Sequence, residues 1–460
     1  YIKNAEYFET DFNKGVNRHW PGYPFFIFIL HKAFEYTGFA KGVYSWIYSG
    51  QIASLMFRVL SLIPLYLVGK ILVGKKNTLI ALWVLILLPY PAEFGSDIIR
   101  DWCHVFFLAI GMAFLLYGME TKKGWMFGGA GLAAGLGHFV RPECAQIIIY
   151  GTIWLIVFII ICKKQKARLR AVFLLLMLIT GFAVPFVPLM TIRTSNKLIP
   201  NKLKKVLSFE AMNNNYINNN HTQSQGNISY QAKCINYGIT KAFIRLVQAI
   251  AENLVYFFAL PFAIGIFRSF RNIRRLVYDG RLIILLLFLM YSVMMVLLHM
   301  NYGYISRRHC LPIVIFGIFY IPNGLQFFAR WLETAVFRKS QPGKQDLNRL
   351  FNILLAVGLI ICIAKMNRLL PLREEKGDFL KASEWLKTNM GKEEIAGVFD
   401  PRIGFYSEKK YKIISENRTI PKKIHYLVKI FDKNTTPEKH WVKKEVFSDF
   451  GNEIVIYKKE

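Results

Sequence analysis

Leu282-Ile-Ile-Leu-Leu-Leu-Phe-Leu-Met-Tyr-Ser-Val-Met-Met-Val-Leu-Leu-His299 carries no charged residue over its whole length. Its apolar side chains go round a helix rather than striping one face, which marks a helix with no water-facing side. A bilayer core of about 30 Å needs about 20 residues of helix. Working outward, nine more runs of similar character appear: 52–72, 78–94, 103–119, 125–138, 145–162, 171–190, 243–267, 311–328 and 351–364. The 460-residue chain is 54% hydrophobic, with a mean hydropathy of +0.30. A soluble chain of this length would show two or three domains of amphipathic elements instead. The expected fold is therefore a polytopic α-helical membrane protein of about ten spans, residues 1–364, followed by a small soluble α/β domain, residues 365–460.

The net charge of +30 does not imply nucleic acid. The basic residues flank spans, where topology and anionic lipid account for them. The six cysteines are scattered without a CxxC pair, so neither disulfide nor zinc is inferred. The chain opens Tyr1-Ile-Lys-Asn, with no Met and no signal-peptide n-region, and reads as a segment whose start lies upstream.

Charge fixes the expected sidedness. Lys163, Lys164, Lys166, Arg168 and Arg170 crowd one gap; Arg268, Arg271, Arg274, Arg275 and Arg281 crowd another. Gap 329–349 is also basic, and the short gaps 73–76 and 121–124 carry lysine pairs. These five gaps alternate correctly if all are cytoplasmic. The gaps that then face outward hold the chemistry-bearing side chains: Asp97, Arg100, Asp101, Arg141, Glu143, Arg307, Arg308 and His309, with Arg18, His19 and Tyr23 in the segment before the first run. Loop 191–242 is basic too, but long segments cross largely regardless of charge.

In the tail, Phe379, Leu380, Ala382, Trp385 and Leu386 recur at helical spacing. Stretches 395–399, 424–430 and 453–457 read as strands. No nucleophile motif, phosphate loop or metal cluster stands out there, so this domain reads as a lid or specificity element on the outer face.

Arg18-His-Trp-Pro-Gly-Tyr-Pro24, followed by an apolar helix, resembles the Pro-Gly-Tyr-Pro segment of GT-C polytopic glycosyltransferases, the enzymes that use polyprenyl-phosphate sugars. The nearest branches are the protein O-mannosyltransferases, the aminoarabinose transferases and the lipopolysaccharide-core glycosyltransferases. Ser96-Asp-Ile-Ile-Arg-Asp101 is similar to their second outer loop. Gly131-Leu-Ala-Ala-Gly-Leu-Gly137 with Val140-Arg-Pro-Glu143 resembles their Gly-rich span ending in Arg-Pro-Glu. Tyr304-Ile-Ser-Arg-Arg-His309, then Leu311-Pro312, resembles their late Tyr…Arg-His…Pro segment. Trp385-Leu-Lys-Thr-Asn389 and Arg402-Ile-Gly-Phe-Tyr406 resemble parts of their periplasmic domain. The resemblance implies transfer of a monosaccharide from a polyprenyl-phosphate donor to a cell-envelope glycan, lipid or protein, with inversion, on the outer face of a bacterial plasma membrane. It also implies a catalytic acid just before a Tyr-x-x-x-Ala stretch. Tyr1-Ile-Lys-Asn-Ala5 is that stretch, so the acid is expected upstream of Tyr1, and Glu6, Glu9 and Asp11 are not promoted in its place.

Such a transfer needs a base for the acceptor hydroxyl, and positive charge or a divalent metal on the leaving phosphate. The metal is the one cofactor this leaves open. Asp97, Arg100 and Asp101 have i, i+3, i+4 spacing, with Ser96 as a plausible N-cap. They either hold acceptor, metal or phosphate, or form a solvated, self-paired helix start. Asp97 and Asp101 are the visible catalytic candidates. Arg141 and Glu143 flank Pro142 at a span end, a functional position or an interfacial ion pair. Arg307, Arg308 and His309 either grip the lipid phosphate or snorkel. Arg18, His19 and Tyr23 contact substrate or shape a turn stiffened by Pro21 and Pro24. His31 and His138 read as packed span residues, and the glycines of 128–137 as a close helix contact. A transporter of lipid-linked sugars would show internal repeats and mid-membrane polar sites. A glycan ligase or polymerase would carry its chemistry in loop 191–242, where Glu210 is the only acid.

Overall fold

The computed structural model describes residues 1–17, 20–40, 42–121, 123–161, 165–192, 238–271, 280–335, 343–369, 377–414, 420–421, 423–431, 440–448 and 453–459. Arg18, His19, most of loop 191–242 and several of the basic residues used for sidedness lie outside them. The chain divides into two compact units, one running essentially from Tyr1 to Met366 and the other consisting mainly of Asn367–Glu460.

In the first unit, seven helices among the described residues are long and apolar enough to cross a bilayer: Gly42–Val73, Asp101–Thr121, Pro142–Ile161, Gln165–Ile192, Arg281–Asn301, Arg307–Ala335 and Gln345–Asn367. Helices Lys75–Leu87 and Pro89–Ser96, bent by 63° at their junction, make an eighth if counted as one span. The bend follows from Pro89, which has no N–H and drives Leu88 out of the helical region, to ψ 121°. The Ile86 carbonyl beside the break accepts a hydrogen bond from Arg58 Nη2 at 3.0 Å. The Pro91 carbonyl accepts one from Trp102 Nε1 at 2.9 Å.

Two of the ten expected spans differ. Run 125–138 forms the 17-residue helix Gly124–Val140. A Cβ on Gly131 would lie 2.1 Å from the Leu178 carbonyl oxygen, and one on Gly181 2.1 Å from that of Gly128. Backbone touches backbone there, a contact only small residues permit. Run 243–267 is not continuous: Ile239–Asn253 and Ala259–Phe270 are separate helices. Between them Val255 (φ 56°) and Tyr256 (φ 60°) adopt the left-handed conformation. That is costly for a β-branched residue, and it breaks the helix. The apolar residues on both sides masked the break; Glu252-Asn253 and Pro261, which cannot donate early in the second helix, were its local signs.

The second unit is a five-stranded sheet with helices Gly377–Asn389 and Pro401–Ser407. The strands are β1 Ala396–Val398, β2 Tyr411–Ile413, β3 Tyr426–Phe431, β4 Trp441–Phe447 and β5 Glu453–Lys459. Their order is β2-β1-β3-β5-β4. β1 runs parallel to β2 and β3, and β5 antiparallel to β3 and β4. Alternation divides the strands between two cores. Tyr426, Val428, Ile454 and Ile456 join Phe379, Ala382 and Leu386 of the longer helix. Leu427, Val455 and Tyr457 face the other way with Ile414 and Ile424. Leu380, expected on the apolar face, is exposed. Strands β2 and β4 had no sequence reading; Lys443, Lys444 and Glu445, with a register shift between Lys443 and Glu445, break the alternation of β4.

Candidate active site

Asp97, Arg100 and Asp101, spaced to share one face if helical, are separated by a helix end. They do not share a helix face. Pro89 starts a helix that ends at Ser96, and the Ser96 hydroxyl donates back to the Glu93 carbonyl at 2.9 Å instead of capping a new helix. Asp97 follows in extended conformation and is exposed. The next helix begins at Asp101, one of the few buried charged side chains. Three extended or bent residues therefore separate the two carboxylates. Among the described residues no hydrogen bond or ion pair joins Asp97 to the cluster around Asp101.

That cluster is built on Arg141. Helix Gly124–Val140 stops there because Pro142 follows, leaving Arg141 extended at φ −155°. Arg141 Nη1 lies 2.5 Å from Asp101 Oδ1, and Arg141 Nε lies 3.4 Å from Glu143 Oε1. Burial disfavours the guanidinium's charge, but the Glu143 and Asp101 carboxylates outweigh it, so its pKa is held above the ordinary arginine value. Arg100 donates to the Val140 carbonyl at 3.3 Å, and burial pushes its pKa down. One turn into the helix, His104 Nε2 meets the Tyr291 hydroxyl at 3.2 Å.

The Pro-Gly-Tyr-Pro segment packs beside this cluster. Trp20 is left-handed at φ 55°, and its ring lies 6.0 Å from the Arg100 guanidinium. A Cβ on Gly22 would meet the Phe139–Val140 backbone at 2.9 Å. The Tyr23 hydroxyl donates to the Gly50 carbonyl at 3.0 Å and pairs with Ser54 Oγ at 2.6 Å. Ser54 Oγ in turn donates to the Ile99 carbonyl at 3.2 Å. Tyr23 is fully buried, so its side chain braces the 98–100 link. His138, as expected, is packed, with the Trp20 and Phe186 rings 5.8 and 5.2 Å away.

The Arg307-Arg308-His309 segment is a single helical turn capped by Ser306. Asn253, the last residue of helix Ile239–Asn253 before the break, donates to the Arg307 carbonyl at 2.9 Å. Arg307 stands 3.9 Å from the Tyr90 ring centre, and Lys365 lies 5.6 Å from the same ring. Glu252 pairs with Arg245 at 2.9 Å and reaches Arg307 only at 3.9 Å. Arg308 is exposed, with no carboxylate partner among the described residues. His309 is in electrostatic range of Arg141, Asp101 and Glu143, which brings three sequence-distant motifs to one place. Tyr90, Arg245, Glu252, Asn253, Lys365, His104 and Tyr291 escaped the sequence reading. Glu252-Asn253, polar inside an apolar run, was the signal that could have found the first group.

Among the described residues, one group of His, Cys, Asp or Glu could hold a metal: Glu9, His31 and Glu35, with ligand atoms within 4.8 Å of one another. The Arg141 cluster offers no such set, since both of its carboxylates face the guanidinium.

No protein-family model matches the chain, and no curated protein matches it. Solved structures do. The chain is similar to ArnT from Cupriavidus metallidurans in the apo state, at a TM-score of 0.52 and 12% identity, covering 98% of this chain and 91% of that one. It is similar to the oligosaccharyltransferase AglB from Archaeoglobus fulgidus in complex with an inhibitory peptide and a dolichol-phosphate, at a TM-score of 0.52 and 12% identity, covering 89% of this chain and 61% of that one. An oligosaccharyltransferase from Archaeoglobus fulgidus in complex with Zn and sulfate also matches, at a TM-score of 0.52 and 12% identity, covering 89% of this chain and 59% of that one. This chain thus spans about three fifths of the archaeal enzyme's length. The fold is that of the GT-C membrane glycosyltransferases. At such identity the likeness concerns fold alone. Together with the apolar helices it makes the chain an integral membrane protein.

Proposed function

We propose that this protein is a membrane glycosyltransferase that moves a monosaccharide from a polyprenyl-phosphate donor to a cell-envelope glycan, lipid or protein. The observation that carries the reading is the convergence of Asp101, Arg141-Pro-Glu143 and His309, beside the cationic group around Tyr90, in a GT-C-like fold. The transfer forms a bond from the acceptor oxygen to the anomeric carbon, breaks the bond from that carbon to the phosphate, and hands the hydroxyl proton to a base. Polyprenyl phosphate leaves with the electron pair.

The two groups divide the work by charge. Arg307 and Arg245 share one carboxylate, Glu252, while Lys365 lies by the Tyr90 ring and Arg308 has no carboxylate partner among the described residues, which leaves positive charge to hold the lipid phosphate. Arg141 is claimed by two carboxylates, so it and Asp101 position the site rather than grip an anion. Asp97, exposed and without an ion-pair partner among the described residues, is the carboxylate available to an acceptor hydroxyl in this segment. The reaction takes place outside the cytoplasm of a bacterial cell, and residues 365–460 serve as a lid or specificity domain there.

The test uses the protein in proteoliposomes loaded with radiolabelled polyprenyl-phosphate sugars and an envelope extract as acceptor. Label should pass to acceptor, and Asp97→Asn should cut the rate at least tenfold without changing the melting temperature. Label that crosses the bilayer without being transferred would replace this reading with a lipid-linked sugar transporter.

A further inference from the structure

The first helix, Ile2–Thr10, packs on helix Gly22–Thr37 through Phe8, which meets Phe25 and Phe28 at ring distances of 5.4 and 6.0 Å, and Phe12 of helix Phe12–Asn17 meets Phe25 at 6.5 Å. Beside this contact lies a polar cluster that the transfer chemistry does not use. Its centre is a histidine, not a carboxylate patch. His31 is only 3% exposed and stacks on Trp46 at 3.5 Å. His31 Nδ1 lies 2.9 Å from Ser45 Oγ, and His31 Nε2 lies 3.2 Å from Glu35 Oε1. Glu9 reaches in from the first helix.

Two features mark the centre of this cluster as a cation position. Nε2 faces the Glu35 carboxylate, so either its own proton, with Ser45 donating to Nδ1, or a bound cation, with Nδ1–H donating to Ser45, sits between them. The position already attracts one cation: the Lys32 ammonium contacts Glu9 and lies 2.7 Å from Glu35. One ammonium leaves two carboxylates half-compensated and makes no use of the imidazole as a ligand. A divalent ion would neutralise both and take a nitrogen as well. Nitrogen with two carboxylates suits zinc or manganese rather than calcium or magnesium, and Ser45 on Nδ1 is the kind of outer hydrogen bond that orients a ligating histidine.

We propose that Glu9, His31 and Glu35 bind one divalent transition-metal ion in competition with Lys32, stapling the first helix to helix Gly22–Thr37. The inference stands whether or not the chain transfers sugar.

Lys32 makes the test sharp. The full chain, purified in detergent, is titrated with zinc in a chelator-buffered series, with calcium as control. One zinc should bind per chain, at least a hundredfold more tightly than calcium. Glu9→Gln or Glu35→Gln should weaken it at least tenfold, and Lys32→Met should strengthen it at least tenfold. X-ray absorption of the zinc-loaded protein should show nitrogen and oxygen ligands without sulfur. A merely structural ion-pair cluster gives the reverse: Lys32→Met lowers the melting temperature and binds no zinc. Absence of stoichiometric binding in both wild type and Lys32→Met, or binding indifferent to Glu9→Gln and Glu35→Gln, overturns the proposal.

Discussion

Arg141 and Arg307 occupy similar places in the chain: each adjoins a single turn of tight helix at a span end, followed closely by a proline. Their surroundings differ. Arg141 is mostly buried between two carboxylates, with Asp101 at 2.5 Å and Glu143 at 3.4 Å. Arg307 is more exposed, shares the single carboxylate of Glu252 with Arg245, and faces Lys365 across the Tyr90 ring. Around Arg141 two carboxylates balance Arg141 and Arg100, whereas around Arg307 the cations outnumber the carboxylates among the described residues. An arginine between two carboxylates is bound by the fold, whereas one in a cationic excess has its fork available to a ligand anion. Residue type and position at a helix end do not separate these cases. Counting the opposite charges does.

The largest effect should come from emptying the compensated group. Arg141→Ala leaves Asp101 and Glu143 facing each other in a buried site, a loss of about 3–5 kcal/mol for a broken buried pair. The melting temperature in detergent should fall sharply, and Asp101→Asn with Glu143→Gln in the same chain should recover most of the loss. An Arg141→Ala protein that melts like wild type would mean that Asp101 and Glu143 are solvated, and the contrast with Arg307 would dissolve.

Next in size is Arg307→Ala. Removing one member of the cationic group deprives a phosphate of a charge-assisted hydrogen bond but strands no buried charge. The KM for polyprenyl-phosphate sugar should rise about ten- to a hundredfold with kcat nearly unchanged and stability intact. The KM of the wild type should rise with salt, because these cations are partly exposed. Equal effects of Arg141→Ala and Arg307→Ala on KM would show that the division of labour is wrong.

Much of this was legible beforehand, for physical reasons that differ from element to element. Lipid-facing helices announce themselves by composition, so run 282–299 could be read directly. Arg-Pro-Glu could be placed at a span end because Pro142 stops a helix. Which carboxylate Arg141 meets could not be read, since Asp101 lies 40 positions away and only the packing of helix Asp101–Thr121 against helix Gly124–Val140 joins them. Ser96-Asp97 offered a capping pattern, but Pro89 had already started a helix that consumed Ser96. The break at 254–258 was marked in the sequence only by Glu252-Asn253 and Pro261 within a largely apolar run. That Asn253 meets Arg307 could not be read, since the two lie 54 positions apart.

The smallest effect isolates the ring between the two cations. Tyr90→Leu keeps the apolar volume of a buried position but removes the π face that Arg307 approaches at 3.9 Å. A cation over an aromatic ring contributes about 0.5–2 kcal/mol depending on desolvation. The substitution should raise the donor KM only about three- to tenfold. A double-mutant cycle decides what the ring does. If Tyr90 acts by holding the Arg307 guanidinium in place, Tyr90→Leu should change nothing further once Arg307→Ala is present, and the coupling energy should equal the single effect. If the two changes add instead, Tyr90 touches the donor independently of Arg307. The cationic group would then be a binding surface of separate parts, unlike the mutually dependent charges around Arg141.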